Sequence, residues 1–196
     1  MSNKNLKWIY LLILSLVWGS SYILIKKSLI GLTPLQVGSL RTILSTLLLL
    51  IIGYSSIKTI PKNKWKWIAI TGYVSFIPPF LFAYAQTEID SALAAILNSL
   101  TPLATLLIGI GFYRFKIDSK QISGVILGLI GSVLLMYQGS IINPDQNIVY
   151  VIFIILASIL YALQVNLLKV YLQDVSAVAI TVGNFIFIFP FAVVIF

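Results

Sequence analysis

Polar and aromatic side chains recur at helical spacing inside four long apolar stretches of this 196-residue sequence. Unsatisfied polar groups are costly in lipid, so such side chains face other helices or a water-accessible cavity. They could line one central cavity that binds a small solute. Alternatively, the hydroxyls bond their own backbone and the amides hold helices together. The four polar stripes are Ser15, Trp18, Tyr22 and Lys26; Ser75, Pro79 and Gln86 with Tyr84; Asn98, Thr101, Thr105 and Gly109 with Pro102; and Ser158, Tyr161 and Gln164. The candidates for lining the cavity are Trp18, Tyr22, Tyr84, Asn98, Pro102, Tyr161 and Gln164.

Three basic side chains near these stripes are candidates for contacting an anion or acting as a gate. Arg41 is the one charge clearly inside an apolar stretch, and it could attract an anionic substrate, pair with a carbonyl or snorkel to the interface. Lys26 and Lys27 end the first stretch, where a cavity mouth and ordinary headgroup contact are both open. Because no carboxylate lies deep in any stretch, a proton relay through a buried acid is not predicted.

The sequence lacks the residue types that most cofactor and metal chemistry needs. It has no Cys and no His, which excludes disulfides, thiolate or imidazole ligands, and Cys or Ser–His nucleophiles. It has no glycine-rich phosphate loop, and its apolar stretches contain no paired carboxylates. We therefore predict no catalytic residues, no cofactor and no metal site.

The composition indicates an all-α polytopic membrane protein. Hydrophobic residues make up 60% of the chain and charged residues 9%, whereas an average soluble domain is roughly half apolar and about a quarter charged. The mean hydropathy of +1.05 agrees. This excludes a soluble enzyme, a disordered chain and a nucleic-acid-binding module. The net charge of +8 reports orientation rather than an anionic partner.

Seven stretches are long enough to cross a bilayer core, which takes about 20 apolar residues. Pro78–Pro79, Pro102 and Pro190 interrupt backbone hydrogen bonds within them. The glycines of the fifth stretch form a smooth face that we expect to pack against another helix; they are Gly124, Gly128 and Gly131. The predicted transmembrane helices are Trp8–Ile25, Leu35–Gly53, Trp67–Gln86, Ala92–Phe112, Ile122–Gln138, Ile148–Leu168 and Ala177–Phe196.

The distribution of charge predicts the orientation of these helices. With the N-terminus in the cytoplasm, ten Lys and Arg residues fall in inner segments and two, Lys26 and Lys27, in outer ones. This is a strong positive-inside bias. Three tryptophans lie at the inner interface, and Asp145 lies in an outer turn. We predict a multi-pass protein of the plasma membrane with a cytoplasmic N-terminus.

A weak internal repeat aligns residues 18–27 with residues 160–169 at an offset of 142. A repeat unit of five helices forces the second copy to insert upside down, which is the inverted-repeat architecture of many transporters. We predict a first five-helix unit over residues 1–140 and the start of a second over residues 141–196. Because the second copy has two helices here, we expect a fragment lacking about three helices, or an incomplete gene product.

Taken together, these segments resemble the EamA family of the drug/metabolite transporter superfamily. Trp18–Tyr22 with the later Lys27 is similar to the family's opening W-G-[ST]-x-[FY] run, and Pro34 with Arg41 to its P-x(6)-R entry to the second helix. Residues 83–103 are similar to its A-L-x-Y-T-x-A-x-x-A-x-L-L-x-x-x-x-P-L block, and residues 121–131 to its fifth helix. Many members carry an acidic residue between helices four and five, where this sequence reads Tyr113–Lys116.

The resemblance implies a ten-helix bundle of 5+5 inverted repeats, of which seven helices are present. It also implies alternating access and, usually, export of amino acids or other small metabolites, with Trp18, Tyr22, Asn98 and Tyr161 near the substrate path. The implied partners are a small-molecule metabolite and membrane lipids, without nucleic acid, and a homodimer is compatible with the sequence. The alternatives are a non-transporting membrane subunit or sensor and, less favoured, an intramembrane lipid-modifying enzyme.

Overall fold

The computed structural model describes residues 3–116, 118–142 and 147–196. These residues form helices, 3-10 turns and short connections, with no β-strand among them. Asp145, which the sequence analysis placed in an outer turn, lies outside the described residues. The helices are α1 (Asn3–Ser28), α2 (Pro34–Gly53), α3 (Trp65–Phe76), α4 (Pro78–Glu88), α5 (Ser91–Asn98), α6 (Leu100–Gly111), α7 (Ser119–Ile142), α8 (Val151–Tyr171) and α9 (Ala177–Ile195).

All seven predicted transmembrane stretches are helical. Six segments of the described chain are long and apolar enough to cross a membrane: α1, α2 with its 3-10 extension, α3 with α4, α5 with α6, α8 and α9. The remaining predicted stretch is α7, a helix of 24 residues. The expected all-α polytopic membrane architecture is therefore confirmed.

Prolines interrupt two of these segments but leave a third intact. The third segment breaks at Ile77, because Pro78 and Pro79 lack the N–H groups that would continue the helix and instead begin α4. The fourth breaks at Ser99, and Pro102 falls in the first turn of α6, where its missing N–H costs nothing. Pro190 lies inside α9, which continues through it. The expected interruption at Pro190 therefore does not end that helix.

Side-chain caps fix where α2 and α9 begin. Thr33 and Gln36 form a capping box, in which the Gln36 N–H donates to Thr33 Oγ1 at 3.3 Å and the Thr33 N–H donates to Gln36 Oε1 at 3.0 Å. At the start of α9, the Ala179 N–H donates to the Ser176 hydroxyl at 3.3 Å. Each helix thus starts one residue after a hydroxyl-bearing cap.

The last two helices pack into the middle of the preceding ones. Helix α9 lies along α2 and α3, while α8 contacts α3, α4 and α6. Helices α1 and α7 are peripheral: α1 contacts α4 and α5, and α7 contacts α5 and α6. Most side chains of α1 are exposed, so its apolar surface is available to lipid or to further protein.

Close helix contacts occur at glycines other than those predicted. A Cβ added to Gly72 would lie 3.0 Å from the Asn184 carbonyl oxygen. One added to Gly183 would lie 2.7 Å from an Ile68 methyl. By contrast, a Cβ added to any of the three predicted glycines of α7 would have no described neighbour within 4 Å; these glycines are Gly124, Gly128 and Gly131. The expectation of a packed face there is wrong for the described residues, and the glycine-mediated crossing joins α3 to α9 instead.

Connections predicted on the same side of the membrane meet each other. At one end of the bundle, the end of α1 and the turn before α8 both contact the end of α4. At the opposite end, the connection between α2 and α3 contacts the one between α8 and α9, and the segment after α6 contacts the end of α8. The helices therefore alternate in direction as the sequence predicted.

Candidate functional site

A cavity of about 280 Å³ lies between α2, α3, α4, α8 and α9. We call it the central cavity. Ligand pockets usually span about 300 to 1,000 Å³, so this volume lies just below that range and admits only a small solute. Pro79 and four apolar side chains form part of the wall. The polar lining residues are Arg41, Thr42, Ser45, Ser75, Tyr161, Gln164, Thr181 and Asn184.

Some of these residues come from the predicted stripes and some do not. Tyr161 and Gln164 were predicted to line a cavity, and the structure brings them together with Arg41. The hydroxyls of α2 and the polar residues of α9 were missed, because both stretches look apolar overall. Their spacing carried a signal: Arg41 and Ser45 lie four residues apart on α2, and Thr181 and Asn184 three apart on α9, as one helical face requires.

Asn184 is buried and held rigidly where α9 crosses α3. The hydroxyl of Thr71 donates to the Trp67 carbonyl at 2.9 Å, so it has no proton left for Asn184. The amide nitrogen of Asn184 is therefore the donor, to Thr71 Oγ1 at 3.0 Å and to the Ile68 carbonyl at 2.8 Å. These bonds fix one wall of the central cavity to the glycine crossing.

Arg41 connects the central cavity with a second one. A groove of about 380 Å³ runs between α1 and α2, lined by Ser20, Ser21, Ser28 and apolar side chains. Arg41 lines both spaces. No Asp or Glu that the structure describes lines either space. Among the described residues the acids lie at helix ends or in connections: Glu88, Asp90, Asp118 and Asp174.

Tyr22 and Asn98 do not line the central cavity. Asn98 Oδ1 accepts from the Thr101 hydroxyl at 3.0 Å. The Tyr22 ring packs edge-on against Phe82, with centroids 5.7 Å apart, and Phe82 in turn packs against Tyr161. Phe82 thus contacts both Tyr22 and the lining residue Tyr161.

The two outer lysines differ in environment. Lys26 Nζ donates to the Gln86 carbonyl at 2.7 Å and to the Ile89 carbonyl at 3.1 Å, where α4 ends. This contact caps α4 and ties α1 to it, since a cation is favourable at a helix C-terminus. Lys27 is exposed. Lys26 is therefore engaged by backbone oxygens, although the sequence left a role at a cavity mouth open.

Three other predicted residues lie away from both cavities. Trp18 is 65% exposed on the outer side of α1, and Tyr84 is 37% exposed beside Phe153. Pro102 is exposed in the first turn of α6. The structure therefore does not bring these three together with Tyr161 and Gln164.

A cluster of contacts lies at the predicted inner end of the bundle. Lys64 Nζ donates to Asp174 Oδ1 at 2.7 Å and to the Tyr171 carbonyl at 2.9 Å. The Tyr171 ring stacks on Trp67 with centroids 3.4 Å apart, one helical turn beyond the lining residue Leu168. The Lys64 hydrogen bond holds the pKa of the exposed Asp174 carboxyl below its ordinary value. We call this cluster the inner closure.

The sequence of α1 to α7 identifies the protein family. Residues 6–137 match the EamA-like transporter family. The chain belongs to this family. The match begins near the start of α1 and ends within α7, so it covers the five predicted transmembrane stretches of the first unit.

Several relatives of this EamA chain are named as transporters or efflux pumps. It is 31% identical over 136 residues to an "Uncharacterized transporter" of Archaeoglobus fulgidus, covering 66% of this chain and 47% of that protein. It is 24% identical over 140 residues to a "Probable amino-acid metabolite efflux pump" of Escherichia coli, covering 69% of this chain and 44% of that protein. The chain thus spans less than half the length of these two relatives. No solved structure matches significantly.

The EamA motifs fall at distinct places in the structure. The opening run borders the α1–α2 groove through Ser20 and Ser21. The P-x(6)-R motif begins α2 and sets Arg41 two turns into it, at the junction of both spaces. The long block forms α4 to α6 and contributes Asn98. Of the EamA motif residues, Arg41 is the one that lines the central cavity.

Proposed function

We propose that this chain forms part of a secondary transporter of the EamA family that exports amino acids or other small metabolites by alternating access. The central cavity is the observation that carries the proposal. It has the volume of a small solute, and polar groups enter it from both α2–α4 and α8–α9. The relatives named as efflux pumps support the direction and substrate class.

We infer that the chain contains one five-helix unit, residues 1–140, and the start of an inverted second unit, residues 141–196. The helix ends support an offset of 143 rather than 142. The caps of α2 and α9, Thr33 and Ser176, are 143 positions apart, and so are the last residues of α1 and α8, Ser28 and Tyr171.

This offset gives the central cavity an internal symmetry. It relates Arg41 of α2 to Asn184 of α9, and both line the cavity where α2 and α9 pack together. It also relates Trp18 of α1 to Tyr161 of α8. Tyr161 lines the cavity, while Trp18 is exposed. We propose that Trp18 is the counterpart of Tyr161 in the first unit.

We propose that the N-terminus lies in the cytoplasm and the protein in the plasma membrane. The support is the ten-to-two distribution of basic residues. The inner closure then faces the cytoplasm, and we propose that it closes the central cavity on that side. Opening of these contacts is the step that would admit a cytoplasmic solute.

Counterflow in proteoliposomes tests the transport proposal. Vesicles carrying the purified chain are loaded with a broad panel of amino acids and metabolites, and exchange of labelled solute is followed. We expect Gln164→Ala, which alters the central cavity, to reduce exchange at unchanged protein abundance. Gln173→Ala lies in the exposed connection between α8 and α9 and serves as the matched control. Absence of exchange for the whole panel under several ion gradients would refute transport by this chain.

A further inference from the structure

Arg41 carries a positive charge into the two spaces without an acidic partner among the described residues. The salt bridge that these residues form, Lys64 with Asp174, lies at the inner closure. The acids at the ends of helices do not line either space. A charged side chain within a membrane-spanning segment is costly, and such residues generally pair with an opposite charge or mark a substrate path.

The surroundings of Arg41 favour one monovalent anion. The guanidinium offers a planar array of donors that matches a carboxylate in a bidentate contact. Ser45 adds a hydroxyl on the same helix, whereas the Thr42 hydroxyl donates to the Gly38 carbonyl at 3.0 Å. Asn184 stands at the symmetry-related position as a neutral side chain. Within the described part of the chain, no second Lys or Arg lines the central cavity. A doubly charged phosphate would therefore keep one negative charge uncompensated.

The same lining offers no charged partner for an ammonium group. No described Asp or Glu faces the central cavity, and the oxygens of Tyr161 and Gln164 are neutral acceptors. A cationic amine would also be repelled by Arg41. Electrostatic interactions with the cavity lining therefore favour binding of the carboxylate of a solute and do not favour binding of its amino group.

We propose that Arg41 is the specificity-determining residue of the central cavity and binds a carboxylate, so that small monocarboxylates are accepted with or without an amino group and amines are rejected. This inference rests on the proposed function, because it concerns the substrate class of the same cavity. It extends that function from amino acids to the deaminated acids of the same size.

Matched trios of probes test the proposal on the purified chain in detergent. Each trio contains an amino acid, its deaminated acid and its decarboxylated amine; for leucine these are leucine, 4-methylpentanoate and 3-methylbutylamine. Equivalent trios from alanine and phenylalanine cover smaller and larger side chains, and inorganic phosphate tests a divalent anion. Binding is measured as the ligand-dependent rise in unfolding temperature, since a ligand of the native state stabilises it.

We expect the amino acid and the deaminated acid of at least one trio to bind with similar affinity, at least tenfold tighter than the amine or phosphate. Arg41→Gln should weaken binding of both acids about tenfold or more, because it removes a charge-assisted contact. Arg41→Lys should retain part of the binding. Lys27→Gln removes an equal charge from an exposed site outside both spaces and should leave binding unchanged.

Several results would overturn the inference. Amines that bind as tightly as acids, no binding by any acid, or acid binding that survives Arg41→Gln would each do so. The transport proposal is judged separately by counterflow. If the chain exchanges neutral or cationic solutes but binds no carboxylate, transport is supported and the proposed role of Arg41 is refuted.

Discussion

The glycine crossing between α3 and α9 makes a quantitative prediction for Gly72→Ala. The new methyl carbon would lie 3.0 Å from the carbonyl oxygen of Asn184 and 3.2 Å from its Cα. These atoms belong to the backbone, so no side-chain rotation relieves the contact. The two helices must instead separate by a few tenths of an ångström.

We expect the free energy of unfolding of Gly72→Ala to fall by about 1 to 3 kcal/mol, the usual cost of overpacking a tight site. Gly124→Ala is the matched control. Its added Cβ meets nothing within 4 Å, and replacing a helical glycine by alanine stabilises by roughly 0.5 to 1 kcal/mol. The two variants should therefore differ by about 1.5 to 4 kcal/mol.

Denaturant unfolding in mixed micelles, followed by tryptophan fluorescence, measures this difference. A Gly72→Ala variant that is as stable as the wild type, or that gains as much as Gly124→Ala, would refute the close crossing of α3 and α9. It would also remove the argument that this crossing fixes Asn184 in the wall of the central cavity.

Three further predictions concern a hydrogen bond, a titration and the orientation. Replacing buried Asn166 with Leu removes donations to the Thr105 carbonyl at 3.0 Å and the Ala162 carbonyl at 2.8 Å; unfolding free energy should fall by about 0.5 to 2 kcal/mol, and an unchanged value would contradict this role. Because the pKa of Asp174 is lowered, its pairing with Lys64 should persist on acidification to below about pH 3.9 and be lost as pH falls further. A carboxyl NMR titration measures this, and an ordinary pKa would argue against the ion pair. Since the chain has no Cys, an impermeant maleimide should label Thr87→Cys on intact cells but not Ser176→Cys, and the reverse pattern would invert the orientation.

The sequence predicted the helices better than it predicted the site. Apolar length fixes the membrane-spanning stretches, since a bilayer core demands about 20 such residues whatever their neighbours are. The lining depends instead on which helices meet. Asn184 lies in an otherwise apolar helix, and its importance follows from the contact of α9 with α3. Trp18 has the stripe spacing of a lining residue, yet α1 is peripheral and leaves it exposed.

Lysine side chains were equally ambiguous in sequence. Lys26 and Lys27 are adjacent and chemically identical, but 100° of helical rotation turns one toward the end of α4 and the other outward.

Glycine spacing was also ambiguous in sequence. The spacing of Gly124, Gly128 and Gly131 predicts a packed helix face as strongly as the spacing of glycines that do contact another helix. What distinguishes Gly72 is its partner on α9, more than 100 residues away in the sequence.

The packing of α2 along α9 has a consequence for biosynthesis. Helix α2 ends at Gly53 and α9 begins at Ala177. The ribosome therefore advances 124 positions between the end of α2 and the start of α9. At about 5 to 20 residues per second, this delay is roughly 6 to 25 s. During that time α2, which carries Arg41, lies in the membrane without α9, the helix against which it packs most extensively. Retention of the early helices beside the insertion machinery would protect the nascent chain until α9 arrives.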